Sequence, residues 1–225
     1  MPVTPFLDAS DPWIRWDWLL RHLPEIQLRL VEHIQLTLIA VILGLLIAAP
    51  LGVLAVRWRP LRDPLLAVGG ILYTIPSLAL FAFLIPFTGL SVATSEIGLV
   101  SYTILILLRN FVVGLEGVPP EVLDAARGMG YRRLAMLLRI ELPLAAPAIM
   151  AGIRIATVTT IGLVTVTALI GQGGLGSLIN TGLIQDFKTP LVVGTGLSVL
   201  LALGADLGLA GVERAITPWS QQSRI

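Results

Sequence analysis

The sequence of 225 residues contains no cysteine and few charged residues. Without cysteine there can be no disulfide, no thiolate metal site and no cysteine nucleophile. Charged residues make up 13% of the chain, whereas a soluble domain usually carries about a quarter. His22 and His33 are its two histidines, and both lie near the N-terminus, so we expect no catalytic or metal-binding constellation. The net charge of +1 gives no electrostatic case for nucleic acid.

Apolar residues, in contrast, make up 56% of the chain and gather in runs long enough to cross a membrane. About 20 apolar residues cross a hydrocarbon core about 30 Å thick. We therefore predict an all-α, multi-pass membrane protein with about five transmembrane helices. The predicted spans cover about 34–56, 64–87, 97–115, 144–170 and 189–212, within a membrane domain of residues 34–212.

Residues 1–33 form a separate N-terminal segment in this prediction. Trp13, Trp16 and Leu19 alternate with charged residues, a pattern typical of an amphipathic helix in the headgroup layer. Pro24 is expected to separate this interfacial helix from the turn that leads into the first span. The first apolar run begins only near Ile34, which does not fit a secretory signal peptide, so we expect the N-terminus to be retained.

The distribution of basic residues predicts the orientation of the chain. Arginines are concentrated between spans one and two, between spans three and four, and after span five, where residues 213–225 form a tail. The opposite loops, about 88–96 and 171–188, contain a single basic residue, Lys188. The positive-inside rule therefore places the N-terminus outside and the C-terminus in the cytoplasm. Three arginines in the N-terminal segment, Arg15, Arg21 and Arg29, oppose this assignment.

The cytoplasmic loop 116–143 is too polar to span a membrane and much longer than an ordinary connection. Pro119 and Pro120 end the preceding helix, and Glu121–Met129 is predicted to form a short helix with acidic residues near its N-terminus. Gly130 is expected to end it. Ala125 and Ala126 leave one face almost smooth, which suits close docking of a partner.

This loop resembles the EAA loop of binding-protein-dependent ABC importer permeases. The pattern is Glu-Ala-Ala, a glycine four residues on, and then Ile-x-Leu-Pro; here Asp124 replaces the usual Glu. The resemblance implies that Glu121–Gly130 is the coupling helix that seats in a cytoplasmic ATPase subunit. It implies the following ATPase-coupling residues: Glu121, Asp124, Ala125, Ala126, Gly130, Ile140, Leu142 and Pro143.

Further motifs are similar to the osmoprotectant branch, whose members import glycine betaine, choline, carnitine or related quaternary ammonium solutes. They include Thr74–Leu80, Leu108–Asn110, Gly152–Arg154 and Ile170–Gly176. The resemblance implies the type I importer fold, known as MetI-like, and a location in the bacterial cytoplasmic membrane. It also implies two ATPase subunits, a second permease copy or a sister permease, and an extracytoplasmic solute-binding protein. The chain itself would be no enzyme and bind no cofactor, because ATP and Mg act on the ATPase.

Polar residues inside spans usually face other helices or a wet cavity, which makes them candidates for the solute path. Alternatively, threonines bond to carbonyls of their own helix and need no cavity. Arg109 and Arg154 either snorkel to the cytoplasmic surface or pair with Glu116 or Glu141. The path candidates are Thr74, Ser77, Asn110, Thr157, Thr160 and Thr167.

Pro76 lies within the second predicted span and is the best candidate for a kink or hinge. Gly171, Gly173 and Gly174 suit either tight backbone packing or a moving outer gate. Their loop is not a phosphate cradle, since it lacks the following Lys-Ser/Thr and follows a span rather than a strand.

Three other functions remain open from the sequence. The first is the permease of an importer for another small polar solute, such as an amino acid. An ion-driven carrier or a channel would need an intramembrane acidic residue, for which Asp206 and Glu96 are the candidates. A structural membrane protein is the third.

Overall fold

The structure, a computed structural model, describes residues 12–219. Predictions for residues 1–11 and for the tail from 220 to 225 therefore lie outside the described residues. Within them the chain is helical and has no strand. The α-helices, in chain order, are α1 (Trp16–Arg21), α2 (Leu23–Arg57), α3 (Arg59–Thr74), α4 (Ser77–Thr88), α5 (Val92–Glu116), α6 (Pro120–Gly128), α7 (Arg133–Met136), α8 (Leu142–Val166), α9 (Leu175–Ile184) and α10 (Lys188–Ile216).

Four continuous helical stretches of the described residues are long and apolar enough to cross a membrane: Leu23–Arg57, Val92–Glu116, Arg133–Ile170 and Lys188–Ile216. The third stretch joins α7 to α8 through a π-helical turn and ends in a 3-10 turn, Thr167–Ile170. Helices α3 and α4 qualify together as one further, bent span. The structure thus supports the predicted all-α architecture with about five crossings.

The first span continues further toward the N-terminus than predicted. Helix α2 runs without interruption from Leu23 through the predicted boundary at residues 33 and 34. Its 35 residues give a length of about 52 Å, which exceeds the hydrocarbon core. The break falls at His22, between α1 and α2, and Pro24 is tolerated within the first turn of α2. The predicted interfacial segment is therefore divided between α1 and the start of the first span.

The second span is broken where the sequence predicts a kink. Helix α3 ends at Thr74, α4 begins at Ser77, and the two helices are bent by 94°. Ile75 and Pro76 are extended, with ψ angles of 126° and 133°. A proline cannot donate a backbone hydrogen bond, and it disfavours the helical conformation of the residue before it. Ile75-Pro76 therefore ends one helix and begins the next.

The described chain divides into two compact units. The first contains the chain up to Ile39, Pro76–Leu99 and Thr159–Leu203. In its core, Ile26 on α2 packs with Leu175 and Leu178 on α9, and partly buried residues of α1 and α10 surround them.

The second unit contains Ala40–Ile75, Val100–Val158 and the chain from Gly204. Its core includes Ala48, Leu107, Leu108, Val112 and Ala156. Close helix approaches depend on glycine here. A Cβ at Gly44 would lie 2.0 Å from the Thr103 hydroxyl oxygen, so the backbone of α2 packs directly against this side chain of α5. This unit also contains the long cytoplasmic loop.

Candidate functional site

Helix α6 corresponds to the short helix predicted in the loop 116–143. It runs from Pro120 to Gly128, with Glu121 in its first turn, where the helix dipole favours an acidic residue. Gly130 follows with φ +81°, and Tyr131 N–H donates to the Ala126 carbonyl at 3.1 Å. Gly130 N–H donates to the Arg127 carbonyl at 3.0 Å. These two bonds form a Schellman motif, which explains why a glycine ends this helix.

The two alanines of α6 face opposite environments. Ala125 is exposed, as are Glu121 and Asp124, and Asp124 pairs with Arg127 at 2.7 Å on the helix surface. Ala126 is only 1% exposed and packs into the chain's own fold. Consecutive helical residues point about 100° apart, so one of the pair turns inward. The expectation that both alanines form the smooth outer face was therefore wrong for Ala126.

The second half of the motif lies where the loop re-enters a span. Ile140 belongs to a π-helical turn, Leu137–Glu141, and Leu142 and Pro143 begin α8; all three side chains of the motif are half-buried. Pro143 has no N–H to offer the carbonyl four residues before it, and a π turn moves the donors one residue further along. The proline thus accounts for an irregular turn between the loop and its span.

Ion pairs connect this turn and the end of α5 to the neighbouring spans. An Arg57 guanidinium nitrogen at the end of α2 lies 2.7 Å from each carboxylate oxygen of Glu141, whose side chain is 3% exposed. Arg62 on α3 donates to Glu116 at 3.0 Å. The sequence left open whether Arg109 or Arg154 pairs with Glu116 or Glu141; among the described residues these two carboxylates pair with Arg62 and Arg57 instead.

Arg154 instead bridges α8 and α10. Its guanidinium donates to both carboxylate oxygens of Asp206 at 2.9 Å and to Glu213 at 3.0 Å. The Arg154 side chain therefore belongs to an ion cluster, instead of snorkelling to the cytoplasmic surface as one of the two predictions had it. Asp206, a candidate for ion coupling, is occupied by this contact.

The predicted path threonines of α8 and its final turn are enclosed by the chain's own side chains. Thr157, Thr160 and Thr167 are 8%, 1% and 0% exposed. Thr157 donates to the Ile153 carbonyl at 2.8 Å, and Thr167 donates to the Val164 carbonyl at 2.8 Å. The sequence left open whether these threonines bond to carbonyls of their own helical segment, and Thr157 and Thr167 do so in this structure. A role for the three threonines in the solute path stays a prediction.

The remaining path candidates lie in two places. Thr74 is exposed at the end of α3 and donates to the Ile71 carbonyl at 2.8 Å, and Ser77 is the half-buried first residue of α4. Asn110 on α5 donates to Ile106 at 2.8 Å and lies against α8, where a Cβ at Gly152 would come within 2.5 Å of it. Gly152 thus lets α8 pass closely over Asn110.

The glycine-rich loop after α8 is held by backbone packing. Gly171, at φ +80°, ends the 3-10 turn, and the next amide, Gln172 N–H, reaches back to the Thr167 carbonyl at 3.1 Å. A Cβ at Gly173 would lie 2.4 Å from the Ala168 nitrogen. Gly174 adopts φ +45°, and a Cβ there would lie 2.6 Å from the Arg29 carbonyl oxygen. The packing role is present in this structure, and movement as a gate stays a prediction.

Comparison with known proteins identifies the family. Residues 39–218 match the family described as "Binding-protein-dependent transport system inner membrane component". The chain belongs to this family. It is 40% identical over 171 residues to the choline transport system permease protein OpuBB of Bacillus subtilis, covering 76% of this chain and 78% of that one. It is 36% identical to the osmoprotectant import permease protein OsmW of Salmonella typhimurium, covering 74% and 80%.

The fold matches as well. A solved structure of the MetNI methionine ABC transporter, in an inward-facing conformation, superposes with a TM-score of 0.77 at 25% identity, covering 85% of this chain and 96% of that one. The chain is thus an inner membrane protein of the ABC permease family with a MetI-like fold. The predicted family and fold class are confirmed.

In this permease, His33 makes a buried contact between two helices that the sequence analysis did not predict. Its side chain on α2 is fully buried, and Nε2 lies 3.0 Å from the Ile161 carbonyl oxygen near the end of α8. Since a carbonyl only accepts, Nε2 carries the proton. A Cβ at Gly174 would also lie 2.6 Å from the His33 nitrogen. His33 therefore joins the first span to the end of α8 beside the glycine-rich loop. Positions 33, 37 and 40 share one face of a helix, and this spacing was the signal in the sequence that could have indicated burial of His33. Thr37 and Ala40 are also buried in the structure.

Proposed function

We propose that this chain is the membrane-spanning permease subunit of an ATP-driven importer for a quaternary ammonium osmoprotectant, such as glycine betaine, choline or carnitine. The observation that carries the proposal is the coupling loop. A motif that resembles the EAA loop folds into a short helix with Asp124 and Ala125 exposed, inside a family of binding-protein-dependent permeases. The names of several relatives refer to choline, carnitine or glycine betaine, which supports this class of solute.

The partners follow from the same proposal. Two cytoplasmic ATPase subunits bind ATP and Mg, while this chain binds no cofactor and catalyses no reaction itself. A second permease copy or a sister permease completes the path, because five crossings do not readily enclose one. An extracytoplasmic solute-binding protein captures the solute and delivers it. The lipid bilayer surrounds the spans, and no nucleic acid is involved.

The proposed orientation has the N-terminus outside and the C-terminus in the cytoplasm. It is supported by the arginines in and beside the coupling loop and by the loops on the other side, whose single basic residue is Lys188. Helix α6 then faces the ATPase. Of the coupling residues, Glu121, Asp124 and Ala125 contact the ATPase directly, while Ala126 and Gly130 shape the helix that presents them.

Transmission from the ATPase to the spans runs through the ion pairs of the second unit. Closure of the ATPases on ATP draws the coupling helices together. Displacement of α6 moves the π turn and α8, to which Arg57 on α2 is tied through Glu141. Hydrolysis then resets the permease. Energy enters because ATP-bound and free ATPase bind the two permease states with different affinity.

An importer of an amino acid is the second candidate, since the superposed transporter is one for methionine. Both candidates are tested by uptake into proteoliposomes that contain this chain, its ATPase and its binding protein. We expect ATP-dependent uptake of radiolabelled choline, glycine betaine or carnitine. ATP-dependent uptake of an amino acid alone would keep the importer and reject the osmoprotectant. Uptake driven by an ion gradient without ATP would reject both.

A further inference from the structure

Tyr73 presents an aromatic ring at the break in the second span. It lies in the last turn of α3 and is 41% exposed. Tyr102 on α5 is 6% exposed and meets it edge to face, with ring centroids 5.7 Å apart and planes at 69°. The buried tyrosine therefore holds the exposed ring in position and leaves part of its surface accessible.

Hydroxyl groups stabilise the break itself. Tyr102 O–H donates to the Ile75 carbonyl, and the Thr74 hydroxyl donates to the Ile71 carbonyl. The last four carbonyls of a helix have no amide partner within it, and they carry the negative end of the helix dipole. The carbonyl end of α3, in whose last turn Tyr73 lies, therefore carries the negative end of the helix dipole.

The two tyrosines lie near the middle of the span. Tyr102 is about 15 Å along the helix axis from Val92 and about 21 Å from Glu116, at 1.5 Å per residue. Tyr73 is also about 21 Å from Arg59, at the cytoplasmic end of α3. Broken spans near the membrane midplane are where many transporters bind their solutes, because the freed backbone groups and the helix dipoles are available there.

We propose that Tyr73 and the carbonyl end of α3 form a subsite for the quaternary ammonium group of the transported solute, an inference that rests on the proposed function. A quaternary ammonium has no N–H to donate, so it cannot satisfy carbonyls by hydrogen bonds. It is attracted instead to aromatic faces and to diffuse negative potential. One exposed ring with one helix terminus gives a weak site, which lets the solute leave after each cycle.

The test lowers the electron density on the face of the ring in steps and leaves the shape of the ring nearly unchanged. The complete importer, with its ATPase and binding protein, is reconstituted with phenylalanine, monofluoro-, difluoro- or trifluorophenylalanine at position 73. We expect choline uptake to survive Tyr73→Phe and to fall stepwise with each fluorine, reaching about a tenfold loss for the trifluoro ring. ATPase co-purification and ATPase rate without solute should stay constant across the series. Phe83→Leu, at a 66% exposed ring on α4, is the control and should retain uptake.

Three results would overturn the subsite. Uptake that is equal across the fluorinated series would exclude a cation–π contact. A loss already complete in Tyr73→Phe would assign the role to the hydroxyl instead. A loss of choline uptake in Phe83→Leu as large as that of the trifluoro variant would indicate a general effect of changing apolar surface. Absence of quaternary ammonium uptake by the unmodified importer would instead reject the proposed function, so the two failures are distinguishable.

Discussion

Arg154 on α8 donates one hydrogen bond to each carboxylate oxygen of Asp206 on α10, both at 2.9 Å. Glu213, two helical turns further along α10, accepts a third bond from the same guanidinium at 3.0 Å. One positive and two negative side chains thus tie the fourth span to the fifth. The cluster has an excess of one negative charge, which makes the effects of removing its members unequal.

Removing the arginine should therefore harm the permease more than removing either carboxylate. Arg154→Gln leaves two carboxylates close together without a cation, whereas Asp206→Asn or Glu213→Gln leaves a balanced pair. We expect Arg154→Gln to lower the thermal unfolding midpoint in detergent well below that of the other two variants. Equal midpoints for all three variants would contradict this order, and midpoints equal to that of the unmodified protein would show that the cluster does not stabilise the α8–α10 contact.

His33 should require a donor at the position of its Nε2. His33→Gln can place its amide N–H near the Ile161 carbonyl, whereas His33→Asn is too short and leaves the carbonyl without a donor. We expect the Asn variant to lose about 1–3 kcal/mol of stability relative to the Gln variant. The check is the thermal unfolding midpoint together with ATP-dependent uptake. If Asn and Gln behave alike, the bond to α8 has no structural role.

The glycine-rich loop should accept no side chain at Gly174. Its φ of +45° and the nearby Arg29 carbonyl both oppose a Cβ. Gly174→Ala should reduce stability by about 1–3 kcal/mol, while Gly196→Ala on α10, where a Cβ meets open space, should be neutral. Folded yield and thermal midpoint measure the difference. Equal behaviour of the two variants would contradict the packing described for this loop.

Much of the fold follows from local sequence signals. Apolar runs predict the spans, and Pro120 with Gly130 predicts α6, because these residues act on their own backbone. The 94° bend at Ile75-Pro76 is only partly predictable. A proline indicates a lost hydrogen bond, but the angle depends on what packs around the freed backbone, here including Tyr102.

Contacts between distant residues could not be predicted in the same way. Arg57 and Glu141 are 84 positions apart, and His33 and Ile161 are 128 apart. Composition and periodicity report which face of a helix is buried but not which neighbour buries it. For the same reason the sequence left Arg154 between snorkelling and pairing, and missed Asp206 as its partner.

Glu96 distinguishes an ATP-driven permease from an ion-driven carrier. Its side chain is 8% exposed on α5, and neither carboxylate oxygen has a hydrogen-bond partner among the described residues. A carrier would need this charge for coupling, whereas the importer does not. We expect Glu96→Gln to keep ATP-driven uptake within about twofold of the unmodified protein. Loss of ATP-driven uptake with the ATPase still bound would contradict this expectation, and uptake on an ion gradient without ATP that is abolished by Glu96→Gln would favour ion coupling.

Docking of α6 on the ATPase is tested by the same substitution at two exposed alanines. Ala125→Arg places a long charged side chain on the exposed face of α6, and Ala215→Arg places the same side chain in the last turn of α10, outside the loop 116–143. The measurement is co-purification of the ATPase with the membrane-inserted permease, followed by ATP-dependent uptake. We expect Ala125→Arg to lose both, although it inserts normally, and Ala215→Arg to retain both. Full ATPase binding and uptake in Ala125→Arg would show that α6 does not couple the ATPase to transport.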